Sequence, residues 1–275
     1  MKTLWKFVLG AVLVAAPFTN VDAGEVLDRV MKNKVLVLSS DAEYPPQSFL
    51  NDKNEMDGFD VDVAKAIAER LGAKLKIVTP AWEVITAGNW GSRWDVSVGS
   101  MTPTKARSEV LSFPAVYYYT PAAFAVHKDS KSMDVSSLNG KKIGVCGGCT
   151  YEAYMNKNLV IDAVGTPAFT YQVKAGELRS YETDVNAFDD LRVGDGKRLD
   201  AVLSALPTLK EAMKNGYPMK IVGKPVFFEP LSVAIDKGDA EFAAKIAEIV
   251  NAMRSDGTLG KLSMKWYGVD YSSVN

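Results

Sequence analysis

The chain has 275 residues, of which 47% are hydrophobic and 24% are charged, with 21 glycines and 12 prolines. These proportions are those of ordinary globular proteins, and they exclude a disordered chain, a collagen-like chain and a small disulfide-rich domain. The 32 basic and 33 acidic residues give a net charge of −1, so no basic excess is available to bind a phosphate backbone or an anionic membrane. We therefore expect no nucleic-acid partner.

His127 is the only histidine of the sequence. Proton transfer near neutral pH, imidazole-based metal sites and Ser-His or Cys-His nucleophiles all depend on histidine. The sequence therefore predicts no catalytic residue, no metal site and no cofactor. We expect a structural role for His127, which lies beside an apolar strand.

The first 23 residues have the pattern of a secretory signal peptide. Lys2 and Lys6 form a positive start, residues 7–16 are apolar or small, and residues 21–23 suit a signal peptidase. The alternative is an uncleaved membrane anchor, but the apolar run is about half of the roughly 20 residues that a spanning helix needs. We predict secretion, with cleavage after Ala23 and a mature chain that starts at Gly24.

Strands and helices then alternate along the chain. Residues 35–38 are a short apolar run typical of a buried strand, and a helix follows, with Asp60 as its predicted N-cap and Gly72 just after its end. A strand at 74–78, a helix at 82–89 and a strand at 96–98 come next. This alternation predicts βαβ units on a parallel sheet.

The alternation begins again after residue 140. It comprises strands at 142–145, 201–203 and 219–222, and helices that begin at Thr150, near Thr183 and at Pro207. A last helix with one apolar face follows Asp239. The sequence therefore predicts two α/β units of about 125 residues each.

Ligands of such sheets bind beyond the carboxyl ends of the strands, so the strand-to-helix turns hold the candidate binding residues. Tyr44 lies in a turn that two prolines make rigid, and Trp82 begins the next helix. Either ring could stack on a ligand, and either could instead be a packed aromatic of the turn or the core.

Residues 99–107 form the most informative turn. Ser100, Thr102 and Arg107 lie within nine residues after a strand, and Thr104 is placed to cap the helix that carries Arg107. An arginine fork with hydroxyls and free N–H groups can hold a carboxylate, whereas the alternative is a solvated arginine on a surface helix. A further turn after two glycines begins a helix at Thr150, which could equally be an ordinary capped helix.

Four motifs, in order, give the chain a resemblance to a known family. The segments DAEYPPQSF, GFDVDVAKAIAERLG, GSMTPTKAR followed by VLSFPAVYY, and GKKIGVCGGCTYEAY resemble the polar amino-acid family of periplasmic substrate-binding proteins, the receptors of ABC importers. The resemblance implies the type II periplasmic binding fold, an α/β fold of two lobes with mixed, mostly parallel sheets joined by two hinge strands. It places the signal peptide at 1–23, the first lobe at 24–122 and 228–275, and the second lobe at 123–227. The crossing strands would lie near 123–127 and 222–228.

The resemblance also implies roles for the residues of the turns. Tyr44 and Trp82 would sandwich the ligand, Ser100 and Thr102 would hydrogen-bond it, and Arg107 would clamp its carboxylate. Thr150 would meet the same carboxylate from the second lobe. The implied partners are a small carboxylate-bearing solute, such as an amino acid or a derivative, and a membrane permease, and we expect a monomer.

The chain departs from the family at Ala205. Family members usually have an aspartate at this position, where it holds the α-ammonium of the ligand. Asp41 and Glu229 are the candidates to meet a cation from another direction, although both could be surface residues. We predict a ligand that keeps a carboxylate for Arg107 and lacks a free α-ammonium in the usual place.

Cys146 and Cys149 lie between a strand and a helix, with two glycines between them. A structural disulfide is the reading we favour for an exported chain, and free thiols or a redox turn of the thioredoxin type are the alternatives. A metal site is the poorest reading, because a tetrahedral zinc site needs four donors.

The function has one alternative in another class. The family contains an exported cyclohexadienyl dehydratase, in which a carboxyl group of the cleft acts as a general acid. Glu152 or Glu229 could take that role, but neither lies in a motif specific for acid catalysis. We predict a binding protein and no enzyme.

Overall fold

The computed structural model describes residues 24–273. The predicted signal peptide and its cleavage after Ala23 lie outside the described residues. Among residues 24–273, no helix combines the length and the apolar character that a membrane crossing requires.

The amino-terminal part of the chain forms two small groups of strands covered by helices. Its helices are α1 (Glu25–Asn33), α2 (Phe59–Arg70), α3 (Trp82–Thr86) and α4 (Lys105–Ser108). Its strands are β1 (Val35–Ser39), β2 (Glu43–Tyr44), β3 (Ser48–Leu50), β4 (Met56–Asp57), β5 (Lys74–Val78) and β6 (Val96–Met101). Strands β2, β3 and β4 form a separate three-stranded sheet.

Two long strands pass through the middle of the molecule. They are β7 (Leu111–His127) and β11 (Met219–Asp236), which pair antiparallel along most of their length. The remaining elements are β8 (Lys142–Cys146), β9 (Glu177–Tyr181), β10 (Ala201–Ala205), a 3-10 helix (Val135–Leu138), α5 (Thr150–Met155), α6 (Asp184–Leu191), α7 (Leu206–Lys214), α8 (Ala240–Ser255) and α9 (Thr258–Tyr267).

The eight longer strands form one hydrogen-bonded sheet with the order β5-β1-β6-β11-β7-β10-β8-β9. Pairs within β5-β1-β6 and within β10-β8-β9 are parallel, and the pairs that involve β7 or β11 are antiparallel. We call β1–β6 with α1–α4, α8 and α9 the first lobe, and β8–β10 with α5–α7 the second lobe, because β5-β1-β6 and β10-β8-β9 lie on opposite sides of β11-β7 in the sheet. The predicted arrangement, a mixed α/β fold whose two parallel parts are joined by two strands, is confirmed.

The strand pairing shows where the chain passes between lobes. β7 pairs with β10 of the second lobe from Ala122 to Val126, and β11 pairs with β6 of the first lobe at Ser232 and Ala234. The register of β11 against β7 shifts between Val222 and Phe227. These positions surround the predicted lobe boundaries at 122/123 and 227/228, which stay a prediction.

Each lobe has its own hydrophobic core. In the first lobe, Val63, Ile67 and Phe59 of α2 are fully buried against the sheet, and α8 adds Phe242 and Ile246. The second lobe buries residues of α5, β8 and β10 on one side of the sheet and residues of α6 and α7 on the other. Separate cores leave the surfaces between the lobes free to form a cleft.

The start of α2 differs from the prediction. The N-cap is Gly58, with φ 125°, and Asp60 is a fully buried residue of the first turn. A Cβ at Gly58 would lie 2.3 Å from the Gln47 carbonyl oxygen, so only glycine fits this close approach. Inside the lobe, Asp60 accepts hydrogen bonds from the Ser100 and Tyr117 hydroxyl groups. The predicted C′ residue, Gly72, is confirmed by its left-handed conformation, with φ 63°.

Candidate functional site

A narrow cleft lies between the lobes at the carboxyl ends of the parallel strands. It is lined by Asp41, Glu43, Tyr44, Trp82, Gly99, Ser100, Thr102, Arg107, Cys146, Cys149, Thr150, Tyr151, Glu182, Thr183, Asp184 and Glu229. Eight of the nine residues predicted for ligand binding are therefore brought together. Ala205 is the exception.

Arg107 is held in the cleft by both lobes. Its side chain is 8% exposed, Nη1 donates to the Thr102 carbonyl oxygen at 3.0 Å, and Nη2 donates to the Gly148 carbonyl oxygen of the second lobe at 3.0 Å. The guanidinium lies 5.2 Å from the centre of the Trp82 ring. The backbone N–H of Arg107 donates to the side-chain oxygen of the N-cap Thr104. Burial lowers the pKa of Arg107 to about 10, and the nearby Glu229 acts in the opposite direction. Arg107 is therefore a buried cation, and the surface-arginine alternative is wrong.

Glu229 accepts hydrogen bonds from two threonines that were expected to contact the ligand. Its Oε1 accepts from Thr102 at 3.0 Å and from Thr150, and its Oε2 accepts from Tyr151 at 2.9 Å. Glu229 is 2% exposed, and burial raises its pKa, although the three hydroxyl donors and Arg107 partly offset this effect. Thr102 of the first lobe and Thr150 of the second thus meet on one carboxylate.

Ser100 is fixed by a buried network in the first lobe. Its Oγ donates to Asp60 at 2.7 Å and contacts the Tyr118 hydroxyl, while its N–H donates to the Tyr117 hydroxyl at 2.8 Å. Tyr117 in turn donates to Asp60 at 2.7 Å. Ser100 has φ 54°, a strained value for a residue with a Cβ. The network holds this conformation at the wall of the cleft.

Aromatic rings form the sides of the cleft. The hydroxyl groups of Tyr44, from the first lobe, and Tyr151, from the second, lie 3.3 Å apart. Trp82 covers Arg107 and is half-buried, and its Nε1 has no hydrogen-bond partner among the described residues. Tyr151 is a wall residue that the sequence did not single out, although it follows Thr150 in the same helix start.

Asp184 is a buried acid of the cleft that sequence reasoning missed. It is the first residue of α6, follows the N-cap Thr183, and is 4% exposed. Burial raises its pKa to about 7, the neighbouring Ser204 hydroxyl partly offsets this, and the Asp41 and Glu229 carboxylates raise it further. Asp41 is only half-buried, and its Oδ1 accepts from the Glu43 N–H at 2.8 Å. The available signal was the position of Asp184 at a strand-to-helix turn.

Ala205 does not line the cleft, contrary to the prediction. It is fully buried in the core of the second lobe, pairs with Ala122 of β7, and is the N-cap of α7. The end of β10 is therefore packed against β7. His127 also lies outside the cleft, where its Nδ1 accepts from the Asp129 N–H at 3.3 Å.

Cys146 and Cys149 form a disulfide, with their Cα atoms 5.6 Å apart. The bridge closes the turn that precedes α5, and both cysteines line the cleft. The same turn provides the Gly148 carbonyl for Arg107. The predicted structural disulfide is present, and it lies at the binding surface.

Comparison with known proteins identifies the family. Residues 36–269 match the model of the bacterial extracellular solute-binding proteins, family 3. The chain belongs to this family. The prediction of a solute-binding receptor is confirmed.

Two curated relatives match this chain over most of its length. The chain is 28% identical to the L-cystine-binding protein TcyJ of Escherichia coli (strain K12), over 96% of this chain and 94% of the relative. It is also 28% identical to an L-arginine-binding protein of Pseudomonas aeruginosa, over 88% of this chain and 92% of the relative. Both relatives are named as binding proteins.

A solved structure supports the fold. The crystal structure of an ancestral amino acid-binding protein, described as a precursor of cyclohexadienyl dehydratase, has a TM-score of 0.75 and 29% sequence identity. The match covers 88% of this chain and 100% of that structure. The predicted type II periplasmic binding fold is confirmed.

Proposed function

We propose that this solute-binding protein is the periplasmic receptor of an amino-acid ABC importer and that it captures a small carboxylate-bearing solute between its lobes. The observation that carries the proposal is Arg107, a buried guanidinium in the cleft that is held by Trp82 and by carbonyl groups of both lobes. Only two of its five N–H donors are accounted for by these carbonyls. The remaining donors are suited to a ligand carboxylate.

Closure of the lobes supports a capture function. Beyond the Arg107 contact, Gln47 of the first lobe bonds Thr208 of the second at 3.0 Å. Two backbone hydrogen bonds also join the lobes: the Lys105 N–H donates to the Val160 carbonyl at 3.0 Å, and the Asp162 N–H donates to the Pro103 carbonyl at 2.8 Å. A protein that closes in this way encloses a small solute and excludes bulk water from its charged groups.

Further parts of the proposal are the mature form and the absence of catalysis. We include cleavage after Ala23, a monomeric state and delivery of the solute to a membrane permease.

Glu229 supports a binding role because its carboxylate is occupied by three hydroxyl donors. Its raised pKa is what a general acid would need, so incubation with prephenate is the direct check. Formation of phenylpyruvate would contradict the binding-only proposal.

A thermal-shift screen of amino acids and small carboxylates tests the proposal. A ligand at about a thousand times its Kd adds roughly 4 kcal/mol to the free energy of unfolding, which raises the Tm by about 10 °C at this size. The best compound should lose about 100-fold or more in affinity on Arg107→Ala, because the variant leaves a buried carboxylate without its cation.

Lys105→Ala is the matched control. Lys105 lies on the same short helix, but its side chain is exposed. We expect less than about a threefold change in affinity for this variant. Equal effects of the two substitutions would contradict the assignment of Arg107.

A further inference from the structure

Asp184 is a buried acid that forms no ion pair with a basic residue of the described range, 24–273. It is 4% exposed and lines the cleft. Within residues 24–273, the charged groups that act on its pKa are Asp41 and Glu229, which are both acidic. The neighbouring Ser204 hydroxyl lowers the pKa of Asp184, but it is a neutral group and balances no charge. An isolated buried carboxylate is costly, so its retention at the cleft surface calls for a partner from outside the chain.

The charges of the whole cleft point in the same direction. Its lining contains five acids, at positions 41, 43, 182, 184 and 229, against one base, Arg107. Arg107 acts on the pKa of Glu229, whereas no basic group is among the charges that act on the pKa of Asp41 or Asp184. The cleft as a whole therefore favours a ligand group with positive charge.

The shape and chemistry around Asp184 suit an organic cation. Tyr44 and Tyr151 line the same cleft as Asp184, and the Asp184 carboxylate raises the pKa of both hydroxyl groups. Aromatic faces with a carboxylate are the usual surroundings of a bound ammonium or guanidinium. Among residues 24–273, no three acids, cysteines or histidines are grouped as ligands of a metal ion.

We infer that Asp184 binds a positively charged nitrogen of the solute, an ammonium or a guanidinium, so that the solute carries a cationic group as well as the carboxylate that Arg107 binds. The inference rests on the proposed function and extends it to the substrate class. It also changes the expectation drawn from Ala205, because the acid missing at the start of α7 is replaced by one at the start of α6. The cationic nitrogen could be the α-ammonium of an amino acid or a group on its side chain.

Four probes separate these sources. L-arginine has both cations, L-glutamine has only the α-ammonium, 4-guanidinobutanoate has a guanidinium without an α-ammonium, and glutarate has carboxylates alone. Their Kd values are measured by calorimetry on the full mature chain. We expect wild-type protein to bind at least one cationic probe and to bind glutarate at least about 100-fold more weakly. Preference for glutamine over 4-guanidinobutanoate assigns the α-ammonium, and the reverse assigns the side-chain group.

Asp184→Asn then tests the residue itself. We expect a loss of about 100-fold in affinity for the cationic probe, because its charge is left unpaired in the closed cleft. Asp189→Asn is the matched control on the same helix, since Asp189 is 42% exposed and pairs with Arg192 outside the cleft. It should change affinity by less than about threefold. The Tm of the free variants shows that both are folded, and removal of the buried charge should not lower the Tm of Asp184→Asn.

The outcomes distinguish the inference from the proposed function. Unchanged affinity of Asp184→Asn for the cationic probes overturns the inference and leaves the receptor function intact. Tight binding of glutarate that Asp184→Asn leaves unchanged also overturns the inference and leaves the receptor function intact. If wild-type protein binds none of the four probes, the amino-acid receptor assignment and the inference are both overturned.

Discussion

Arg107 Nη2 donates to the carbonyl oxygen of Gly148 at 3.0 Å, across the boundary between the two lobes. Gly148 lies inside the turn that the Cys146–Cys149 disulfide closes. The position of the Arg107 guanidinium is therefore linked to a covalent constraint in the opposite lobe.

The disulfide should stabilise the protein modestly and support ligand binding. Exported protein should show no free thiol before reduction and two after it. The double variant Cys146→Ser, Cys149→Ser should lose about 2 kcal/mol of unfolding free energy, because so short a loop constrains the unfolded chain little. The affinity of this variant for ligand should also fall, since the Gly148 carbonyl and Thr150 are less well fixed. Thiol titration and urea unfolding measure the first two results, and two titratable thiols in untreated protein would show that the bridge does not form in the exported molecule.

The contact between Gln47 and Thr208 should favour the closed form. Gln47 and Thr208 are both buried and bond across the cleft at 3.0 Å. Loss of one such hydrogen bond costs about 1 kcal/mol, so Gln47→Ala should weaken ligand binding by roughly fivefold through a less favourable closure. Calorimetry with the best compound of the screen measures the change.

A double-mutant cycle checks that the effect belongs to this pair. Thr208→Val should weaken binding to a similar degree, and the double variant should be little worse than either single variant. Lys210→Ala, at an exposed position of the same helix α7, should have no effect. Fully additive losses at positions 47 and 208 would contradict a direct contribution of the contact.

Tyr151 should stabilise the buried Glu229 carboxylate. Its hydroxyl donates to Oε2 at 2.9 Å, so Tyr151→Phe removes one of three donors from a group that is 2% exposed. We expect a loss of about 1 to 3 kcal/mol and a Tm lower by several degrees. Tyr171→Phe is the control, because Tyr171 is 37% exposed and water can replace its bond to the Leu159 carbonyl. Thermal unfolding of both variants should show a clear drop for Tyr151→Phe alone.

Local patterns explain why much of the fold could be predicted. The strand expected at 74–78 matches β5, the cap expected at Thr104 accepts a hydrogen bond from the Arg107 N–H, and the helix expected after Asp239 is α8. Apolar periodicity and capping involve residues that are close in sequence, so a single chain displays them. The helix expected at 82–89 is shorter, since α3 ends at Thr86.

The full length of the two long strands could not be predicted, because their stability depends on pairing between distant residues. β7 contains Pro114 and Pro121, and β11 contains Pro225 and Pro230, which ordinarily argue against a strand. Their pairing joins residues about 100 positions apart in sequence, and no short pattern reveals it. Asp184 was missed for the same reason, because its meeting with Asp41 and Glu229 depends on how the lobes close.

The buried Asp60 should make stability fall as the pH rises from about 4 to about 7. Burial raises its pKa from 3.8 to about 7, although Tyr117 and Ser100 donate to it. In this range the folded protein keeps the Asp60 proton and the unfolded chain releases it, so the unfolded chain binds fewer protons and the free energy of unfolding decreases with pH. The contribution is about 1 kcal/mol per pH unit. Asp60→Asn should remove it, so the variant should show a flatter decline in urea unfolding measured between pH 4.5 and 6.5.

Asp256→Asn provides the comparison for this slope. Hydrogen bonds from Thr258 and Arg70 lower the pKa of Asp256 to about 2, so its titration contributes stability that is lost only as the pH falls below about 4. Its replacement should leave the slope between pH 4.5 and 6.5 unchanged. Asp184 and Glu229 also have raised pKa values, so the wild-type decline is shared, and the difference between wild type and Asp60→Asn isolates one group. An identical slope in these two proteins would mean that Asp60 is ionised in the fold and that Ser100 is positioned by a charged carboxylate.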